Sequence, residues 1–141
     1  AERDACRIEH VISEESFRRL KAVTEQEKRA AWNKAREVDG YDKNMFRKDA
    51  CGAWIAWSKY GARDNDYGWE IDHIYPVERG GDNHPENLRA LHYRNNTSKA
   101  DDYPSYMAAV QADSNRNVVY ERPLTVNKAK QKRLSDIYHI D

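Results

Sequence analysis

Apolar and polar positions alternate over residues 69–73, Trp-Glu-Ile-Asp-His, and this period of two predicts a strand. Residues 53–57, Ala-Trp-Ile-Ala-Trp, are also rich in strand formers, and the stretch from Tyr60 to Gly68 is dense in turn formers, so the two runs are expected to pair as a hairpin. Residues 77–86 read as a compact loop, 88–92 as one more strand and 93–100 as a short helix. Upstream, residues 13–22 have helical character, and Thr24-Glu-Gln-Glu27 is a capping box that predicts a helix over about 25–37, with Gly40 as its stop. Residues 43–49 read as an extended polar crossing. Downstream, Pro104 is expected to open a helix over 103–110, residues 118–120 form a strand or arm, and Thr125 caps a last helix running to about Tyr138. The expected fold class is α+β, one domain over residues 1–141, with a mixed core at about 47–102 between helical flanks at 13–40 and 103–141.

Composition narrows this picture without naming a function. Four Trp and nine Tyr among 141 residues supply enough aromatic surface to close a core, which argues against disorder. The 24 basic and 24 acidic residues cancel, so any polyanionic partner needs a local basic face rather than a whole-molecule field. Two such faces are candidates: Arg18, Arg19, Lys21, Lys28 and Arg29, diluted by Glu14, Glu15, Glu25 and Glu27, and the cluster from Lys128 through Lys130 and Lys132 to Arg133. The second is preferred, with Lys128 and Lys132 as contacts to nucleic acid. No run approaches a membrane span and no signal-peptide pattern is present, so a cytoplasmic location is expected, with secretion as an effector kept open. Cys6 and Cys51 are too few for a disulfide framework, and the reduced state is preferred.

The chemistry concentrates at Asp72 and His73. Neighbouring side chains on a strand diverge, so divided roles suit them. A carboxylate is a hard oxygen donor for Mg²⁺ or Mn²⁺, whereas an imidazole, with an ordinary pKa of about 6.5, takes a proton near neutrality. Asn96 and Lys99, three apart, fall on one face if 93–100 is helical. Gly80 and Gly81 give the intervening loop a conformation that other residues resist, and Pro76 stiffens its start.

The order Asp72-His73-Ile74-x-Pro76, then Asn87, then Asn96 nine residues on and Lys99 three after that, resembles the HNH endonuclease superfamily, whose fold is the ββα-metal core. Arg47 to Ile55 and Tyr67 to Ile74 look like a zinc-free bacterial subgroup of it. The resemblance implies a metal-dependent endonuclease that hydrolyses DNA phosphodiester bonds with one metal and little sequence preference. It implies Asp72 and Asn96 as ligands of Mg²⁺ (or Mn²⁺), His73 as general base, and Asn87 as structural support of the loop. Lys99 is a candidate phosphate contact or a buttress of the loop, and His92 a candidate contact to phosphate or metal, with a structural role for His92 equally open; His10, His84 and His139 read as surface residues. Many relatives hold a structural zinc with two Cys-x-x-Cys pairs. Here the four matching positions are Cys51, Trp54, Asn95 and Ser98, one sulfur of four, so no structural zinc is expected. Trp54, Trp57, Trp69 and Leu91 are expected to pack the scaffold instead.

DNA is the expected partner, with RNA open. Two rival readings remain: a toxin or effector domain with the same chemistry, neutralised by an immunity protein, and a catalytically inactive nucleic-acid-binding module.

Overall fold

The computed structural model describes residues 22–140. Cys6, His10, Arg18, Arg19, Lys21 and nearly all of the helical run expected at 13–22 lie outside them. Among the described residues the fold is mixed α+β, with three helices and three two-stranded antiparallel sheets.

Helix α1, Glu25–Asn33, begins at the capping box: Thr24 Oγ1 accepts the Glu27 amide at 3.0 Å, and the Glu27 carboxylate accepts the Thr24 amide at 3.0 Å. It ends before residue 37, because Arg36 leaves the helix to bridge Lys48 at the edge of the first sheet. Strand β1, Phe46–Lys48, pairs with β2, Trp54–Ala56. The expected hairpin between 53–57 and 69–73 is therefore not formed. The local cause is Asp49, whose Oδ1 accepts the amides of Cys51 and Ala53 at 2.9 and 2.8 Å and so turns the chain back onto β1. Strand β3, Trp69–His73, pairs instead with β4, Leu88–His92, placing Asp72 opposite Arg89 and His73 opposite Leu88. Helix α2, Tyr93–Lys99, follows β4 without a loop.

The C-terminal flank departs from the expectation. Residues 103–110 do not form a helix: β5, Ser105–Asp113, buries Tyr106, Ala108 and Val110 and exposes Ser105 and Met107, a period of two. It pairs with β6, Arg116–Thr125, so the possible strand at 118–120 is the middle of a longer one. The last helix, α3, spans Lys128–Tyr138; Asn127 rather than Thr125 caps it, accepting the Lys130 amide at 2.8 Å.

Two apolar clusters hold these pieces. Trp32, Ile55, Trp69 and Ala90 join α1 to the strands, and Ile74, Leu91, Tyr106, Ala108 and Leu134 join the strands to the hairpin and α3. Between them lies a polar knot at the zinc-equivalent positions. Asn95 Oδ1 accepts the amides of Ala109 and Val110, its Nδ2 donates to Asp49 Oδ2 and the Val110 carbonyl, and Ser98 donates to the Met107 carbonyl. These bonds fasten α2 to β5. Each is satisfied at both ends, which is the condition for buried polar groups to specify a packing rather than weaken it.

Burial and the Asp49 charge push the Cys51 thiol up to about 12, against an ordinary 9.0. A thiol held neutral in the fold loses stability only where the unfolded chain ionises, so this contribution is complete below pH 9 and declines as pH rises from about 9 to about 12. In a Cys6→Ser background, Cys51 is expected to resist a disulfide-exchange reagent at pH 8 until urea unfolds the chain. Rapid labelling without denaturant would contradict its placement.

Candidate active site

The loop from β3 to β4 is tied down by Asn87, which is fully buried. Its Oδ1 accepts the Tyr75 amide at 2.7 Å, and its Nδ2 donates to the carbonyls of Tyr75 and Asp82 at 3.0 Å each. Its own carbonyl accepts the Ile74 amide, which continues the β3–β4 ladder past His73. Gly80 takes a left-handed conformation at φ 115, and a Cβ at Gly81 would stand 1.8 Å from the Tyr75 carbonyl oxygen. Both glycines are thus required by the path that brings residues 76–78 beside the end of β3.

At that end is a cavity of about 180 Å³ lined by Asp72, His73 and Asn96, with Glu78, Pro76 and Val77 on its loop side. The strand period places Glu70 and Asp72 toward α2. Asn96 reaches Glu70 and Lys99 reaches Asp72, one turn apart on the helix. His73 points the other way and its Nε2 meets Asn83 Oδ1 at 2.7 Å. A carbonyl oxygen only accepts, so Nε2 is the donor in this contact and Nδ1 is the ring nitrogen left outside it.

Asp72 is only 3% exposed. Its Oδ2 accepts from Arg89 Nε at 2.8 Å and its Oδ1 lies 3.3 Å from Lys99 Nζ, which also donates to the His73 carbonyl at 3.3 Å. Burial alone would lower the Arg89 pKa, yet the adjacent carboxylate holds it above its ordinary value. Burial lowers Lys99, and Asp72 opposes that shift only in part. A carboxylate has about four acceptor sites, and these two cations use one on each oxygen.

Asn96 is oriented by a second chain of contacts. Its Nδ2 donates to Glu70 Oε1 at 3.0 Å, and Arg63 donates to both Glu70 oxygens at 2.5 and 2.8 Å. Because a carboxylate can only accept, the amide nitrogen must face Glu70, which turns the Asn96 carbonyl oxygen away from it.

Two of the expected phosphate contacts sit elsewhere in the structure. Lys99 is fully buried on Asp72, so it is an ion partner of that carboxylate rather than a surface cation. His92 is also fully buried: its Nδ1 accepts the Arg94 amide and its Nε2 donates to the Asp66 carbonyl. Burial lowers its pKa, and both nitrogens are occupied, so the structural alternative holds. Lys132 is exposed and lies 3.7 Å from Asp136, while Lys130 and Arg133 are matched by Glu86; Lys128 has no ion pair with a described residue. In the first basic cluster, Lys28 and Arg29 stand over the Trp57 ring.

Glu70, Arg63, Asn83 and Arg89 were not singled out by sequence. Glu70 carried a signal, since it lies two residues before Asp72 and so shares its strand face. Arg89 becomes visible only when β3 is paired with β4, and Arg63 and Asn83 sit in loops whose paths the sequence does not specify.

Asp72, Glu78, His73 and Asn96 border one cavity, and carboxylate and amide oxygens are donors of the kind a hard divalent cation takes, but among the described residues no three His, Cys, Asp or Glu side chains are grouped as a set that could hold an ion. Residues 51–102 match the family described as HNH endonuclease. That match covers less than half of the chain, and the matched family is one of phosphodiester hydrolases that generally use a divalent metal. No curated protein and no solved structure matches the chain. Among the described residues no helix is long and apolar enough to cross a membrane.

Proposed function

We propose that the chain is a metal-dependent endonuclease that hydrolyses DNA phosphodiester bonds with little sequence preference, using His73 as the base. The observation that supports this most is the meeting of His73, Asp72 and Asn96 on one cavity, although His73 on its strand and Asn96 on its helix are 23 residues apart in the chain. Asp72 and Asn96 would hold Mg²⁺ or Mn²⁺. When bound, that ion would neutralise charge on the scissile phosphate and the departing oxygen. His73, fixed by Asn83, takes a proton from the attacking water at Nδ1. Arg89 and Lys99 fix the Asp72 carboxylate in orientation, and Glu70 keeps the Asn96 carbonyl presented.

The formal charges of Asp72 and Glu78 are balanced by Arg89 and Lys99, so the cavity by itself attracts a dication weakly. A substrate phosphate supplies the missing negative charge. Metal affinity is therefore expected to rise when nucleic acid is bound. Phosphate-centred chemistry reads little base identity, which is why weak sequence preference follows.

The test is a plasmid-nicking assay with purified chain. Conversion of supercoiled to open-circular DNA is expected with Mg²⁺ or Mn²⁺ and none in EDTA. Nicking that is indifferent to chelator would contradict the mechanism, and absence of nicking at any metal concentration would favour an inactive binding module. A toxin neutralised by an immunity protein shares this chemistry and differs in partner.

A further inference from the structure

A second cavity, of about 440 Å³, opens on the other side of Arg89 from Asp72, between the end of α1, the turn after β1 and the start of α3. Its volume falls within the usual range for small-molecule sites. Four cations line it: Lys34, Arg36, Arg89 and Lys130. Asp49 is the one acidic residue lining it, and its carboxylate is already satisfied by the amides of Cys51, Ala53 and His92 and by Asn95 Nδ2. With Asp72 matched to Arg89 and Glu86 to Lys130, Lys34 and Arg36 leave an excess of one positive charge over Asp49.

Three of the cations have partners, Arg89 through its Nε to Asp72. Lys34 donates to the Pro85 and Leu88 carbonyls, and Lys130 to the carbonyl and carboxylate of Glu86. The two lysines contribute field rather than free donors, and their crowding shows in Lys34, whose pKa is lowered by burial and then by Lys130. The two arginines do have donors to spare. Arg89 Nη2 is buried and lacks a hydrogen-bond partner, and the exposed Arg36 guanidinium makes no ion pair or side-chain hydrogen bond with a described residue. The first turn of α3, an 11-residue helix whose start lines the cavity at Asn127 and Lys130, contains no acidic residue, so apart from the Asn127 cap on the Lys130 amide no charge in that turn opposes the positive end of its dipole. The remaining wall is apolar, formed by Ile74, Leu124 and Val126.

The geometry points to a second site here, separate from the hydrolytic cavity, that binds the phosphate ester of a nucleotide, with Arg36 and the start of α3 holding the phosphate and the apolar wall holding the sugar and base. The exposed Arg36 guanidinium and a helix N-terminus offer planar and backbone donors that a phosphate, with several acceptor oxygens, matches better than a single carboxylate. A free nucleotide and one unit of a nucleic-acid strand share this chemistry.

The site is tested on full-length chain carrying His73→Ala, in EDTA, so that neither cleavage nor metal enters the reading; failure of the hydrolytic proposal would leave this result intact. Thymidine 5′-monophosphate and thymidine are titrated by calorimetry, and a fluorescein-labelled oligothymidine by anisotropy. Arg36→Glu is compared with Arg116→Glu, an exposed hairpin residue that makes the same change in net charge. Arg36→Glu is expected to weaken a phosphate-bearing probe about tenfold and to lower its salt slope by about one, with Arg116→Glu near wild type. Binding of both phosphate probes assigns a nucleotide site, and binding of the oligonucleotide alone assigns a strand groove. The inference is overturned if neither binds, if thymidine binds as well as its monophosphate, or if the two substitutions weaken binding equally. Circular dichroism establishes that the variants are folded.

Discussion

His73→Ala is expected to lower the nicking rate by roughly 10²- to 10⁴-fold, the range a positioned general base supplies, while leaving metal affinity within about twofold of wild type. The asymmetry follows from the strand. Asp72 faces α2 and its two cations, and His73 faces Asn83, so removal of the imidazole takes nothing from the carboxylate or from the Asn96 amide. Asp72→Ala should show the opposite balance, with metal affinity falling along with activity. Calorimetric titration of Mn²⁺ into both variants, alongside single-turnover nicking, separates these outcomes. Equal loss of metal binding in the two would show that the roles are divided wrongly.

The second large effect concerns stability. Arg89→Met keeps a long, mostly apolar side chain but removes the guanidinium from a carboxylate that is 3% exposed. Breaking a buried ion pair from one side costs about 3–5 kcal/mol, and because Lys99 stays on Asp72 the lower end is expected, about 3 kcal/mol. For a chain of 141 residues that corresponds to a fall in Tm of about 10 °C. The cost arises from an under-compensated charge, so adding Asp72→Asn to Arg89→Met should recover part of it. Urea midpoints of the four proteins in the cycle give the coupling. Additive losses, or a single-variant loss below about 1 kcal/mol, would mean that Arg89 is held by its packing against Tyr106 rather than by Asp72.

The candidate site was legible because its chemistry fixes both residue type and order. Asp72, His73 and Asn96 are on one cavity wall, and the strand at 88–92 and the helix beginning at Tyr93 stand where the sequence placed them. Strand partners were not legible. Residues 53–57 and 69–73 both read as strands, but their pairing depends on Asp49 closing a turn with β1, a contact between a polar side chain and two amides that periodicity does not register. The run at 103–110 failed for a related reason: Tyr106, Ala108 and Val110 fit a strand as well as a helix, and only the partner strand at 116–125 decides between them. Thr125 was displaced as a cap because β6 runs through it, leaving Asn127 as the first residue free to turn. The burial of Lys99 and His92 was not legible either, because it is a property of the packed hairpin and α2, not of a lysine or a histidine as such.

All of this turns on whether Asp72 and Asn96 share one ion. The most direct measurement is anomalous diffraction from crystals soaked in Mn²⁺, with a short DNA duplex bound to the His73→Ala protein. The account predicts an anomalous peak in the cavity at the end of β3, in contact with an Asp72 oxygen, the Asn96 carbonyl oxygen and a substrate phosphate. A cavity with phosphate but no peak at saturating Mn²⁺, or a peak held by other residues while Asp72 keeps only Arg89 and Lys99, would contradict it.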